Sequence, residues 1–165
     1  MAVGNLEFIK SATATGVTSL TVTDMFSAQY DVYEVFVTGN GSQNVGSITA
    51  EFLDSGGSDI AQGAYGFAVL RLDPTTSYGE VNGTTSNSFE FAYTGSSDKD
   101  FAVKITVFNP FSSSSYTFAT IQSMSLQGEK GITVAKSTTS AEQMKFNANQ
   151  QFTPIDVSVY GLASN

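Results

Sequence analysis

Apolar and polar residues alternate along most of this chain. Phe101, Val103, Ile105 and Val107 take every second position, with Ala102, Lys104 and Thr106 between them. Successive side chains of a strand point to opposite faces, so this spacing predicts a strand with one buried and one wet face. The same alternation sets Tyr33, Val35 and Val37 against Glu34, Phe36 and Thr38, and Ile48, Ala50 and Phe52 against Thr49, Glu51 and Leu53. It recurs in Phe89, Phe91 and Tyr93, and in Ile155, Val157 and Val159. Phe67, Val69 and Arg71, with Ala68, Leu70 and Leu72 opposite, predict a strand apolar on both faces. Val17 to Thr23 and Tyr116 to Gln127, rich in Thr and aromatics, predict further strands. Leu6 to Ile9 and Gly131 to Lys136 are shorter candidates.

Turn signals separate these runs. Gly39-Asn40-Gly41-Ser42, Ser55-Gly56-Gly57-Ser58-Asp59 and Gly95-Ser96-Ser97-Asp98 follow predicted strands. Asn82-Gly83 is the commonest tight-turn dipeptide. Asp73-Pro74 and Asn109-Pro110 stop strands because proline cannot donate to a ladder, and Ser112 to Ser115 read as a polar loop. One helical turn is expected at Asp24–Gln29 and one at Ser140–Met144. About ten short strands with frequent turns predict an all-β, antiparallel, jelly-roll-like β-sandwich with minimal helix. Residues 1–165 read as a single domain, with residues 1–12 as an N-terminal arm or edge strand.

Composition narrows the chemistry. The 165 residues contain no His, Cys or Trp, and 15 Asp and Glu outweigh 7 Lys and Arg for a net charge of −8. Histidine triads, histidine metal ligands, disulfides and cysteine zinc sites are excluded by the residues themselves. The basic residues are scattered singly, which argues against nucleic acid, whose backbone needs a basic stripe, and against anionic lipid. The longest apolar run, Ala64 to Leu70, is far short of the ~20 residues a membrane span needs, so no membrane insertion is expected. Met1 to Asn5 show no basic segment leading into an apolar one, so no signal peptide is expected and synthesis in a cytoplasm is.

Candidate sites are few. The acid pairs Asp54/Asp59 and Asp98/Asp100 flank Gly/Ser turns and could offer calcium some of its six to eight oxygens. No Asp-x-Asp-x-Asp-Gly ladder accompanies them, ordinary turn chemistry is the competing reading, and no metal or other cofactor is expected. A serine nucleophile would need a base, and neither Ser-x-x-Lys nor Gly-x-Ser-x-Gly occurs. No catalytic residue is assigned, and the chain is expected not to be an enzyme. Tyr65, Tyr78 and Tyr116 fall at strand ends or loops, where an exposed ring with a hydroxyl could meet a partner or a glycan. Charged residues make up only 13%, below the ~25–35% of a free soluble surface. A surface of Ser, Thr, Gly and Asn suits a subunit that packs against copies of itself.

Two segments carry a resemblance. Met25-Phe26-Ser27-Ala28-Gln29-Tyr30-Asp31-Val32-Tyr33-Glu34-Val35-Phe36-Val37-Thr38 resembles a Phe-Ser, Tyr-Asp-x-Tyr, β-strand pattern of tailed-bacteriophage virion proteins. Phe152-Thr153-Pro154-Ile155-Asp156-Val157-Ser158-Val159-Tyr160-Gly161-Leu162 resembles the closing strand of the same proteins, and Gly4 to Ser11 is similar to proteins of marine phages, cyanophages in particular. The resemblance implies a jelly-roll-like sandwich in a virion, on tail fibre, baseplate or capsid surface. The absence of a shaft or repeat before the sandwich favours a compact knob, a baseplate or tail accessory, or a capsid decoration. The expected partners are copies of the chain, as a homotrimer, and other virion proteins. The alternative is a tail-associated receptor- or glycan-binding module that meets a host surface glycan. Within the first segment, Phe26 and Tyr30 are expected to plug the end of the sandwich, and the Asp31 carboxylate to accept backbone amides at the start of the strand.

Overall fold

The computed structural model describes residues 5–42, 46–72, 78–94, 100–125 and 128–163. Its strands are β1 (Leu6–Ala14), β2 (Val17–Val22), β3 (Val32–Gly41), β4 (Gly46–Leu53), β5 (Tyr65–Leu72) and β6 (Tyr78–Ser86), followed by β7 (Phe89–Thr94), β8 (Asp100–Phe108), β9 (Thr117–Met124), β10 (Gly128–Ala135) and β11 (Gln143–Leu162). Every pairing is antiparallel, and the order runs β6-β5-β10-β9-β8-β3-β11-β4-β7, with β1 and β2 also on β11. The all-β expectation holds.

The 20-residue β11 joins the two layers. Its first half, up to Ala148, pairs with β4 and β2. Its second half, from Ile155, pairs with β3 and β1. The result is a larger sheet, β6-β5-β10-β9-β8-β3-β11-β1, against a smaller one, β2-β11-β4-β7. β7 lies across the inner side of β5, β8, β9 and β10.

Alternation fills the space between the layers. Val35, Val37, Ile105, Ile121, Val157 and Val159 from the larger sheet meet Ile48, Phe52, Phe89, Phe91 and Phe146 from the smaller one, all buried. Burying each such side chain contributes roughly 1.5–3 kcal/mol. Phe26 plugs one end, edge-to-face on Tyr33 at 4.9 Å between centroids. The Tyr33 hydroxyl accepts from the Ser27 N–H and donates to the Ser27 carbonyl, both at 2.8 Å.

The two segments behind the resemblance form one structural unit. Tyr33 and Gly161 are register partners on β3 and β11, and the Tyr30 ring lies on Gly161 so closely that a Cβ there would overlap it. Tyr30 needs glycine beneath it, which ties the Tyr-Asp-x-Tyr stretch to the Tyr-Gly-Leu ending.

Several expectations need correction. Asn82-Gly83 is not a turn: it lies within β6, opposite Ala68 and Phe67. Glycine serves there because a Cβ would stand 2.7 Å from Cε1 of the Phe67 ring. Gly39 to Gly41 likewise belong to β3. Neither expected helical turn forms. Met25 and Phe26 both donate their N–H groups to the Glu142 carbonyl, while Ala141 and Glu142 donate to Pro110 and Leu53, so cross-chain partners replace i→i−4 bonds. Asp31 accepts from the Asn109 N–H, but through its main-chain carbonyl at 2.8 Å and not its carboxylate. β5 is not buried on both faces: Ala68, Leu70 and Leu72 are exposed, because no second layer covers that side among the described residues. The strand-stopping role of Asp73-Pro74 and the turn at Gly95-Ser96-Ser97-Asp98 lie outside the described residues.

Candidate functional site

The densest ionic chemistry lies inside the sandwich. Arg71 of β5, Glu129 of β10 and Ser123 of β9 share one register row and point inward. Glu90 and Tyr93 reach them from β7 on the facing layer. Arg71 Nε donates to Glu129 Oε1 at 2.7 Å, and its Nη2 donates to Glu90 Oε1. The guanidinium lies 4.1 Å from the Tyr93 ring centroid, and Ser123 Oγ donates to Glu129 Oε2 at 3.3 Å. Burial pushes the Glu129 carboxyl above its ordinary pKa, although its bonds to Arg71 pull the other way. Burial alone would lower the Arg71 pKa, but the hydrogen bond that it donates to Glu129 and the charges of both carboxylates raise it.

Two carboxylates facing each other invite a glycosidase reading. Such an enzyme needs its acid and its base or nucleophile to flank a bound sugar. Here a guanidinium occupies the space between them and the Glu129 side chain is fully enclosed. The arrangement clamps one layer to the other. Sequence patterning missed it, because positions 71, 90 and 129 are far apart and no local motif links them.

The loop acids do local work. Asp54 Oδ1 accepts from the Ser58 N–H at 2.9 Å, and Asp59 Oδ1 accepts from the Ala61 N–H at 3.0 Å and from the Tyr65 hydroxyl at 2.8 Å. Among the described residues no three acidic side chains converge to hold a metal ion. Asp98 lies outside the described residues, and Asp100 accepts from the Asn40 side-chain amide.

The three candidate tyrosines do not converge. Tyr65 is fully buried, a correction to its expected surface role. Its ring packs beside Phe52 and Phe89, and its hydroxyl also accepts from the Phe52 N–H at 2.7 Å. Tyr78 is 75% exposed and Tyr116 45% exposed. Tyr78 pairs with Leu72, in the row of Met124, whereas Tyr116 precedes the opposite end of β9. Those ends lie roughly 25 Å apart at strand spacing, too far for one small-sugar site.

The outer face of the larger sheet is where the surface departs from a typical one. On β5, β10 and β9 it presents Leu70, Leu72, Ile132, Phe118 and Met124, with Ile132 62% and Met124 74% exposed. Phe118, Phe108, Ala68, Ile132 and Val134 line a groove of about 340 Å³ there. A second apolar patch sits on the same face at the other side, on β1, β11 and β3. It comprises Leu6, Phe8, Tyr160, Leu162 and Phe36, with Phe8 and Phe36 both edge-on to Tyr160 at 5.6 and 5.8 Å. A polar strip divides the two. Lys104 Nζ stands 3.1 Å from Glu34, and Thr106 donates to the same carboxylate at 3.1 Å. Monomeric proteins rarely leave contiguous apolar patches of this kind wet.

No protein-family model matches the chain, and no curated protein matches it. Among solved structures it is similar to the exo-inulinase of Aspergillus awamori, at 13% identity and a TM-score of 0.41, over 97% of this chain and 29% of that one. It is also similar to the disulfide-linked pili of Bacillus endospore appendages, at 9% identity and a TM-score of 0.30, over 99% and 93% of the two chains. A third likeness is to infectious bursal disease virus, Gt strain, at 10% identity and a TM-score of 0.22, over 94% and 38%. The chain thus spans less than a third of the inulinase, and likenesses at these TM-scores say nothing of activity.

Proposed function

We propose that the chain is a non-enzymatic structural subunit of a phage virion, a compact knob, a baseplate or tail accessory, or a capsid decoration. It is made in the host cytoplasm and assembles there with copies of itself as a homotrimer and with other virion proteins. The observation that carries this reading is the outer face of the larger sheet, where two apolar patches stand exposed on ordered strands. Surface of this kind fits burial against neighbouring subunits. The resemblance of the Met25–Thr38 and Phe152–Leu162 segments to virion proteins supports the setting, and the packing of Tyr30 on Gly161 gives those segments a common structural purpose. The clamped Arg71 cluster supports a role without catalysis, since its charged groups are engaged with one another.

Light scattering on the purified chain at micromolar concentration tests this reading. A single species of three times the chain mass is expected, and a stable monomer overturns it. Peptides of the chain are also expected in the proteome of purified particles.

A further inference from the structure

We infer that the two apolar patches on the outer sheet face are the two halves of one contact, with the β5–β10–β9 patch of one copy seated on the β1–β11–β3 patch of the next. This rests on the proposed reading of the chain as a self-assembling subunit and names the surfaces it uses.

Three features argue for unlike halves. The first is area. Three strands of eight residues make about 400 Å² of sheet, whereas a stable pair buries about 800 Å² per partner. A two-fold pair through either patch alone covers half of that and leaves the other patch wet. Joining unlike patches around a closed ring covers both on every copy. The second is charge. Lys130 stands exposed on β10, the middle strand of the first patch. A two-fold axis through that patch would set Lys130 against its own copy. The second patch instead brings Asp156 on its middle strand, facing the same side as Tyr160. Unlike pairing can therefore set Lys130 against Asp156 instead of against its own copy. The third is shape chemistry. The first patch ends in Met124 and the second is largely aromatic, and thioether sulfur packs favourably on ring edges.

The test uses the full chain with Ile132→Lys in one patch or Phe8→Lys in the other, both at exposed positions. Each variant alone is expected to fall to one-third of the wild-type mass by light scattering. Each keeps the half the other lacks, so an equimolar mixture is expected to associate one to one, but weakly and only at concentrations well above those at which wild type assembles, because a single contact buries only about 400 Å² per partner. Far-UV circular dichroism checks folding, and Ile132→Thr with Phe8→Thr replace any variant that fails it. An assembled wild type whose mass Phe8→Lys leaves unchanged overturns the inference while the subunit reading stands. A mixture that, at the highest concentration reached, associates no more than either variant alone does the same. A monomeric wild type overturns both.

Discussion

Strands β5, β10 and β9 bury an ionic row among apolar side chains on their inner side and expose further apolar side chains on the other. Arg71, Glu129 and Ser123 point into the sandwich, while Leu70, Lys130 and Gln122 in the next row, and Ile132 beyond them, face out. At the far side of the same sheet the inner row is wholly apolar: Val35, Val37, Val157 and Val159 face in, although Phe8 and Phe36 stand exposed outside. The difference lies in what holds the layers together. The β3–β11 side does it with buried valines alone. The β5–β10–β9 side adds a charge cluster, and both sides keep apolar side chains on the outer surface, where only another molecule can cover them.

Breaking the inner cluster has the largest expected effect. Arg71→Met leaves Glu90 and Glu129 buried without a cation, and an uncompensated buried charge costs about 3–5 kcal/mol. Urea unfolding followed by tyrosine fluorescence measures it. The triple variant Arg71→Met, Glu90→Gln, Glu129→Gln is expected to regain much of the loss, because neither charge then remains to be compensated. A cost below about 1 kcal/mol for Arg71→Met would show that the ions do not clamp the layers.

Much of the fold was legible in the sequence, and the reason is the period of two. The Phe101, Tyr33, Ile48, Phe89 and Ile155 runs all lie within strands, because alternation reports which side chains share a face. It does not report which face is covered. Leu70 and Leu72 read as core and are exposed, since β7 packs on the other side of β5. Asn82-Gly83 and Gly39 to Gly41 read as turns because glycine signals both positive φ and close approach, and a distant ring decides which applies. Tyr65 read as a surface residue from its place at a strand end, but the Asp59 loop folds back to receive its hydroxyl. The Arg71 cluster was invisible because pairing brings its members together only after β5, β7 and β10 have found their places.

A smaller effect separates the two faces by pH. Glu129 keeps its proton in the folded chain at pH values where the unfolded chain has released it, because burial raises its pKa. Its contribution to stability is therefore full below the unfolded carboxyl range and is lost as pH rises through the folded value. Glu51, raised by burial too, acts in the same direction. Melting temperature is expected to fall as pH climbs from the carboxyl range toward neutrality, and Glu129→Gln is expected to flatten part of that slope. An unchanged slope would mean that Glu129 titrates alike in both states.

The smallest effect is the sharpest contrast. Ile132 and Ile121 lie on adjacent strands, one register step apart, on opposite faces. Ile132 is 62% exposed and Ile121 is fully buried. Ile121→Thr removes buried apolar surface and places a hydroxyl among apolar neighbours, a change that costs a few kcal/mol, about 2 or more. Ile132→Thr removes surface that the single chain does not bury, so its cost is expected to stay within about 0.5 kcal/mol. The measurement is chemical unfolding in dilute solution, where association adds nothing to stability. At higher concentration the same Ile132→Thr variant is expected to lose the stabilisation that wild type gains from its neighbours. A residue that contributes nothing to its own fold and something to the assembly is what separates an interface from a core. If Ile132→Thr destabilised the dilute chain as much as Ile121→Thr does, the outer patch would belong to the fold and not to a contact.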